Sequence, residues 1–76
     1  MHQYLYILSA EEPFSETEAD RIKEEICRLF ECTEITVAGG KQFTIHSPLG
    51  PDAVERVAVE LTRRFRLEFR AGGKVG

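Results

Sequence analysis

The chain has 76 residues, of which 42% are hydrophobic and 30% charged, a composition typical of one globular domain near the size at which stability becomes marginal. Its net charge of −3 argues against a dedicated nucleic-acid or anionic-membrane binder, because such proteins draw most of their affinity from excess lysine and arginine. No apolar run approaches the length of a membrane helix, and the first residues lack the pattern of a secretion signal. These features predict a cytoplasmic protein without a membrane partner.

The cysteines, Cys27 and Cys32, are too few and too close together for a secreted disulfide scaffold. They also lack the second cysteine pair that structural zinc sites usually show. We therefore expect two half-buried thiols in a reducing compartment, and neither a metal ion nor another cofactor.

The first predicted strand, His2 to Ser9, is the only run that is apolar at both alternating sets of positions, from Tyr4 to Leu8. A strand with one face in water alternates apolar and polar residues, so this strand is expected in the middle of a sheet. A helix is predicted over about Glu16 to Phe30, because Ser15 and Glu18 have the spacing of a capping box. Its apolar residues form one stripe: Ala19, Ile22, Ile26, Leu29 and Phe30.

Two alternating segments, Thr33 to Ala38 and Lys41 to Ser47, predict an antiparallel hairpin. A three-residue loop, Ala38 to Gly40, puts all the apolar residues of the hairpin on one face, whereas a two-residue loop would divide them between both faces. We expect Gly40 to take the left-handed position of this loop.

A rigid connector, Ser47 to Pro51, precedes a second helix that begins near Pro51 or Asp52, with Asp52 and Glu55 spaced as a capping pair. The buried stripe of this helix is predicted to contain Val54, Val57, Ala58, Leu61 and Phe65. A last strand is predicted over Arg66 to Ala71, which closes a single domain over residues 1–71. Residues 72–76 are expected to form a flexible tail.

The order strand, helix, strand, strand, helix, strand, with right-handed crossovers, predicts an α+β fold of the ferredoxin-like βαββαβ type. Its four-stranded antiparallel sheet has the order 4-1-3-2, with both helices on one face. The first strand is then central, as its composition requires.

The sheet face without helices is the predicted functional surface. If Leu5 and Ile7 face the helices, the first strand contributes His2, Tyr4, Tyr6 and Leu8 to this open face. The other strands add Glu34, Thr36, Gln42, Thr44, His46, Arg66, Glu68 and Arg70. One of the registers that this assignment allows sets His2 opposite His46 and Tyr4 opposite Thr44.

Aromatic residues flanked by arginines on an open four-stranded sheet resemble the RNA-recognition motif, and the segment Leu5 to Ala10 is similar to the first-strand signature of that family. The resemblance implies that single-stranded nucleic-acid bases stack on Tyr6. The third strand departs from the family pattern, because no glycine follows Lys41 and Phe43 is predicted to face inward.

Tyrosine and arginine are also enriched at protein interfaces, so the same face predicts protein contact, either as a homodimer or by docking on another protein. The predicted binding residues are Tyr4, Tyr6, His46, Arg66 and Arg70. No arrangement of catalytic residues stands out, so we expect a non-enzymatic binding module. Single-stranded nucleic-acid binding through the same residues is the alternative, and a monomer that tolerates exposed aromatics also remains open.

Overall fold

The structure, a computed structural model, describes residues 3–74. Its six elements are β1 (Tyr4–Ser9), α1 (Glu16–Phe30), β2 (Glu34–Ala38), β3 (Gln42–Ser47), α2 (Pro51–Phe65) and β4 (Glu68–Lys74). The strands form one antiparallel sheet in the order β2-β3-β1-β4, which is the predicted order counted from the opposite edge. The predicted α+β ferredoxin-like fold is confirmed, with β1 in the interior of the sheet.

The core lies between the sheet and the two helices. Strands β1 and β3 direct their largest apolar side chains toward the buried stripes of α1 and α2. The most deeply buried residues are Tyr6, Leu8, Ile26, Phe30, Phe43, Ile45, Val54 and Leu61. Full burial of one large aliphatic or aromatic side chain stabilises a fold by about 1.5–3 kcal/mol, so this layer supplies most of the driving force.

Helix α1 begins at the predicted cap and ends in a left-handed residue. The Ser15 hydroxyl accepts a hydrogen bond from the Glu18 amide (3.3 Å) and donates one to the Glu18 carboxylate (3.0 Å). At the other end Glu31 has φ of 50°, and the Cys32 amide donates to the Cys27 carbonyl over 3.3 Å. Such a helix-ending turn brings residues five apart into contact.

Cys27 and Cys32 are paired as a disulfide, with their Cα atoms 5.0 Å apart, so the expectation of two free thiols is not met. The reason is the left-handed turn that ends α1. The spacing of five residues is too close for a scaffold disulfide between distant segments, but it suits this local turn.

The β2–β3 hairpin has the predicted faces but a different register. Ala38 lies opposite Gln42, so the three-residue loop is Gly39 to Lys41, one residue later than predicted. Gly40 has the expected positive φ (69°), and Gly39 has one as well (61°), because the Lys41 amide closes back on the Ala38 carbonyl over 3.2 Å. Two left-handed residues make the turn, and Lys41 is the extra residue that keeps the apolar side chains on one face.

Helix α2 begins at Pro51, and its N-cap is Gly50, which makes no side-chain capping bond. Asp52 therefore lies inside the first turn, and the predicted Asp52–Glu55 capping pair is wrong. Proline has a fixed φ that suits the first helical position, so the helix starts at Pro51 and Asp52 is already inside it.

Strand β4 begins later and ends later than predicted. Arg66 is the left-handed C-cap of α2 (φ 56°), and the Leu67 amide donates to the Thr62 carbonyl over 3.2 Å, so Arg66 is not part of the strand. The strand continues to Lys74, which pairs with Tyr4, so residues 72–74 belong to the sheet and not to a tail. Residues 75 and 76 lie outside the described residues.

Candidate interaction surface

Strand β1 has the opposite orientation to the one predicted. Tyr6 and Leu8 are 1% and 0% exposed and face the helices, whereas Leu5 and Ile7 are half-buried on the open face. The predicted face assignment is therefore wrong. Both alternating sets of β1 are apolar, so the hydrophobic pattern does not determine which set is buried.

The register follows from this orientation. Leu5 lies opposite His46 and Tyr4 opposite Ser47, so the predicted Tyr4–Thr44 pair is not formed. The other half of that prediction, His2 opposite His46, involves a residue outside the described part of the chain, but Leu5 occupies the position facing His46 on β1.

Tyr6 is buried because both its ring and its hydroxyl find partners in the core. Its ring lies 5.7 Å from that of Phe30, edge to face, and 5.8 Å from that of Phe69, stacked. Its hydroxyl donates a 2.7 Å hydrogen bond to the Leu49 carbonyl. Burial, with a smaller contribution from neighbouring Tyr4, raises the pKa of Tyr6 above its usual value of 10.0.

The connector between β3 and α2 is held by a second buried hydroxyl. Ser47 is fully buried, and its hydroxyl donates to the Phe30 carbonyl at the end of α1 (2.5 Å). The same oxygen accepts a hydrogen bond from the Leu49 amide (3.1 Å). Together with Tyr6, these bonds join β1, β3, α1 and the connector through satisfied polar groups.

The open face is a grid of three rows that cross β2, β3, β1 and β4 in turn. The rows are Glu34, His46, Leu5 and Gly73; Thr36, Thr44, Ile7 and Arg70; and Ala38, Gln42, Ser9 and Glu68. Leu5 and Ile7 are the two large aliphatic residues of the grid, and both lie on the interior strand β1. The open face therefore has a small apolar patch, with Ile7 in the middle row and Leu5 in an end row, and polar or charged residues on the other strands beside it.

Two contacts organise this surface. His46 Nδ1 lies 3.3 Å from the Glu34 carboxylate on the β2 side of the sheet. On the β4 side, a Cβ added to Gly72 would lie 2.8 Å from Leu5 Cδ2, so the glycine leaves the space that the Leu5 side chain occupies. The position of Leu5 thus depends on the glycine-rich, bulged end of β4.

The predicted binding residues are not brought together. His46 and Arg70 lie on the open face, as expected. Tyr4 and Tyr6 face the helix side, with their rings 6.4 Å apart, and Arg66 caps α2 away from the sheet. Among residues 3–74 no tyrosine or phenylalanine side chain lies on the open face, so Tyr6 is not placed to stack a base as the resemblance to the RNA-recognition motif implies.

Sequence reasoning missed Leu5 and Ile7 as open-face residues. The strands on either side of β1 alternate clearly between apolar and polar residues. This alternation does not show which of the two apolar sets of β1 residues is buried. The hydroxyl of Tyr6 is compatible with an exposed position. In the structure the hydroxyl has an internal acceptor instead.

A charged cluster braces the two helices on the opposite side of the molecule. The Glu25 carboxylate contacts the Arg28 guanidinium at 2.6 Å within α1 and that of Arg64 on α2 at 3.4 Å. The hydrogen bond from Arg28, supported by Arg64, lowers the pKa of Glu25 below its usual value of 4.5.

Within the described residues, no group of three or more histidine, cysteine, aspartate or glutamate side chains is placed to hold a metal ion. None of the helices in residues 3–74 is long and apolar enough to span a membrane.

No protein-family model matches the chain, and comparisons with curated proteins and with solved structures found no significant match. Function is therefore inferred from the surface of the chain alone.

Proposed function

We propose that the protein is a non-enzymatic binding module that acts by protein–protein contact through the open face, with a second copy of the chain as its partner. The observation that carries the proposal is the pair of Leu5 and Ile7 on the interior strand β1, with polar residues beside them on β3 and Arg70 on β4. Protein interfaces have this anatomy, with an apolar centre that excludes water and a polar rim. The apolar centre supplies the driving force, and the rim sets the orientation.

The charges of the open face favour a second copy as the occupant. Glu34 lies on the edge strand β2, and Arg70 lies on the opposite edge strand β4. A twofold axis parallel to the strands lays β2 of one copy over β4 of the other, which brings each Glu34 within reach of an Arg70 side chain. The same surface then provides both members of each ion pair, as an isologous dimer interface requires.

The area of the face predicts a weak dimer. With strands about 4.8 Å apart and same-face residues about 6.8 Å apart, a grid of this size with its side chains covers roughly 400 Å². Stable specific interfaces bury about 800 Å² on each partner, so we expect association in the micromolar range or weaker.

The test is the mass of the protein in solution as a function of concentration. The wild-type protein should rise from 8.6 kDa toward twice that mass as concentration increases, measured by sedimentation equilibrium. Ile7→Glu should stay at the monomer mass, because it places a carboxylate at the apolar centre, and Arg70 on the neighbouring strand lets the monomer tolerate the charge.

Val59→Glu is the matched control. Val59 is 53% exposed on α2, which packs on the other face of the sheet, so the same added charge there should leave the association intact. A wild-type protein that stays monomeric at every concentration would contradict the proposal. So would an Ile7→Glu protein that is folded by circular dichroism and associates like the wild type.

A further inference from the structure

Strand β2 leaves one edge of the sheet unpaired. Within residues 3–74 it pairs only with β3, so the backbone groups on its outer edge have no strand partner. Edge strands are usually protected by a bulge, a proline or a lysine. The other edge strand, β4, has a bulge, but Glu34–Ala38 has none of these features and is rich in β-branched residues. The edge of β2 is therefore suited to accept another strand.

A groove runs along this edge between β2 and α1. It consists of two cavities of about 480 and 270 Å³, and Asp20 and Lys23 line both of them. Its apolar lining comes from α1 and β2 and from the segment before α1: Phe14, Ala19, Cys27, Ile35 and Val37. Five residues of extended chain span about 17 Å, so a strand matched to β2 passes both Ile35 and Val37, one from the lining of each cavity.

The helix wall of the groove is acidic. Glu16, Asp20 and Glu24 line it, with Lys23 as the only basic lining residue. None of the three carboxylates forms an ion pair with another described residue. The wall therefore complements a segment that carries positive charge.

We propose that this groove binds an extended basic segment of another protein, which pairs with β2 as a fifth strand. The side chains of the site, on α1 and at Ile35 and Val37, differ from those of the open face, and the site adds a second binding activity to the one proposed above. Alternate side chains of the added strand face the groove, where the stem of a lysine or arginine packs on Ile35 and Val37 while its charge reaches Asp20. The unpaired backbone edge provides affinity, and the acidic wall selects basic segments.

A second copy of this chain fits the groove less well than a basic segment does. Pairing of β2 with β2 of another copy would bring a second acidic α1 wall to the same side of the sheet. Like charges brought together at an interface oppose association.

The probe is a blocked seven-residue peptide in which lysine alternates with threonine or valine, titrated while the backbone amides are followed by NMR. We expect the shifts to concentrate in residues 34–38 and along α1. A peptide with glutamate in place of lysine should not bind. A lysine peptide with alternate backbone nitrogens methylated should bind much more weakly, because it keeps the charge but cannot pair with the edge.

Protein variants locate the site. Asp20→Lys, at the junction of the two cavities, should weaken binding by about fivefold or more. Glu60→Lys makes the same change in net charge on the exposed face of α2 and should leave the affinity unchanged. Ile7→Glu should also leave it unchanged, so failure of this site and failure of the open-face dimer can be told apart.

Four results would overturn the proposal. The first is no binding at millimolar peptide, and the second is equal binding of the methylated peptide, which would indicate adsorption by charge alone. The third is a set of shifts confined to the open-face residues of β1, β3 and β4 or to α2. The fourth is a concentration-dependent change at residues 34–38 in the Ile7→Glu protein without peptide, which would make a second copy the occupant of the edge, because the open-face dimer is absent in that variant.

Discussion

Replacing Tyr6 by phenylalanine tests the orientation of β1 on which the description of the open face depends. The substitution keeps the ring between Phe30 and Phe69 but removes the hydroxyl that donates to the Leu49 carbonyl. A hydrogen bond contributes about 0.5–1.5 kcal/mol net, and a buried acceptor left without a donor costs about 1–3 kcal/mol. We therefore expect Tyr6→Phe to lower the free energy of unfolding by about 1–2 kcal/mol.

This is a measurable fraction of the total, because a domain of this length is stable by roughly 4–11 kcal/mol. In a domain of this size each kcal/mol corresponds to a shift in Tm of about 4–8 °C. Tyr6→Ala would remove the ring as well, at a cost of about 3–5 kcal/mol, and would confound any binding assay with unfolding.

The pH dependence gives the same prediction a second readout. The pKa of Tyr6 is raised in the folded state, so its contribution is fully present below pH 10.0 and is lost as the pH rises through the raised folded-state pKa. Tyr6→Phe has no such group. The difference in stability between the two proteins should therefore shrink as the pH rises above 10.0.

Urea unfolding followed by far-ultraviolet circular dichroism is the suitable assay, because the chain has no tryptophan to report by fluorescence. Tyr4→Phe is the control, since Tyr4 is only half-buried and the substitution should change stability by less than about 0.5 kcal/mol. Equal stability of the wild type and Tyr6→Phe, with parallel alkaline curves, would refute the buried orientation and place the hydroxyl in solvent.

Two further predictions concern helix α2 and its contact with α1. Arg66→Gly should raise the free energy of unfolding by about 0.5–1 kcal/mol, because glycine adopts the left-handed conformation of this residue (φ 56°) without strain. Arg66→Ala is the control, and an alanine variant as stable as the glycine variant would contradict this reason. Glu25→Gln should lower Tm at neutral pH, because Glu25 contacts Arg28 and Arg64. The pKa of Glu25 is lowered from 4.5, so this stabilisation exists above pH 4.5 and disappears as the pH falls through the lowered pKa. A difference in Tm between the wild type and Glu25→Gln that persists in strong acid would argue against the ion pairs.

The elements whose local sequence pattern agrees with their place in the fold could be predicted from the sequence. Helix α1 combines the Ser15–Glu18 cap with a single apolar stripe, and its bounds are those predicted. The hairpin faces follow from the alternation of Ile35, Val37 and Phe43, which tolerates an error of one residue in the position of the loop. The topology follows from element order and crossover handedness.

The candidate site could not be predicted in the same way, because its position depends on the parity of one ambiguous strand. Tyr6 and Ile7 are both compatible with either face of β1, and only packing against Phe30 and Phe69 decides between them. Arg66 fits the alternation of Leu67 and Phe69, but tertiary structure uses it as a left-handed cap, a position where glycine is the common residue. In each case the deciding interaction lies outside the local pattern.

The position of β1 between β3 and β4 has a consequence for folding on the ribosome. Pairs such as Tyr6 with Ala71 join residues separated by nearly the whole length of the chain, so half of the pairing of β1 is unavailable until the end of β4 has been synthesised. Contacts of such long sequence separation slow folding, because the loop must close before they form. Until then one hydrogen-bonding edge of β1, an apolar strand, has no partner in the nascent chain. The emergence of β4 completes the sheet.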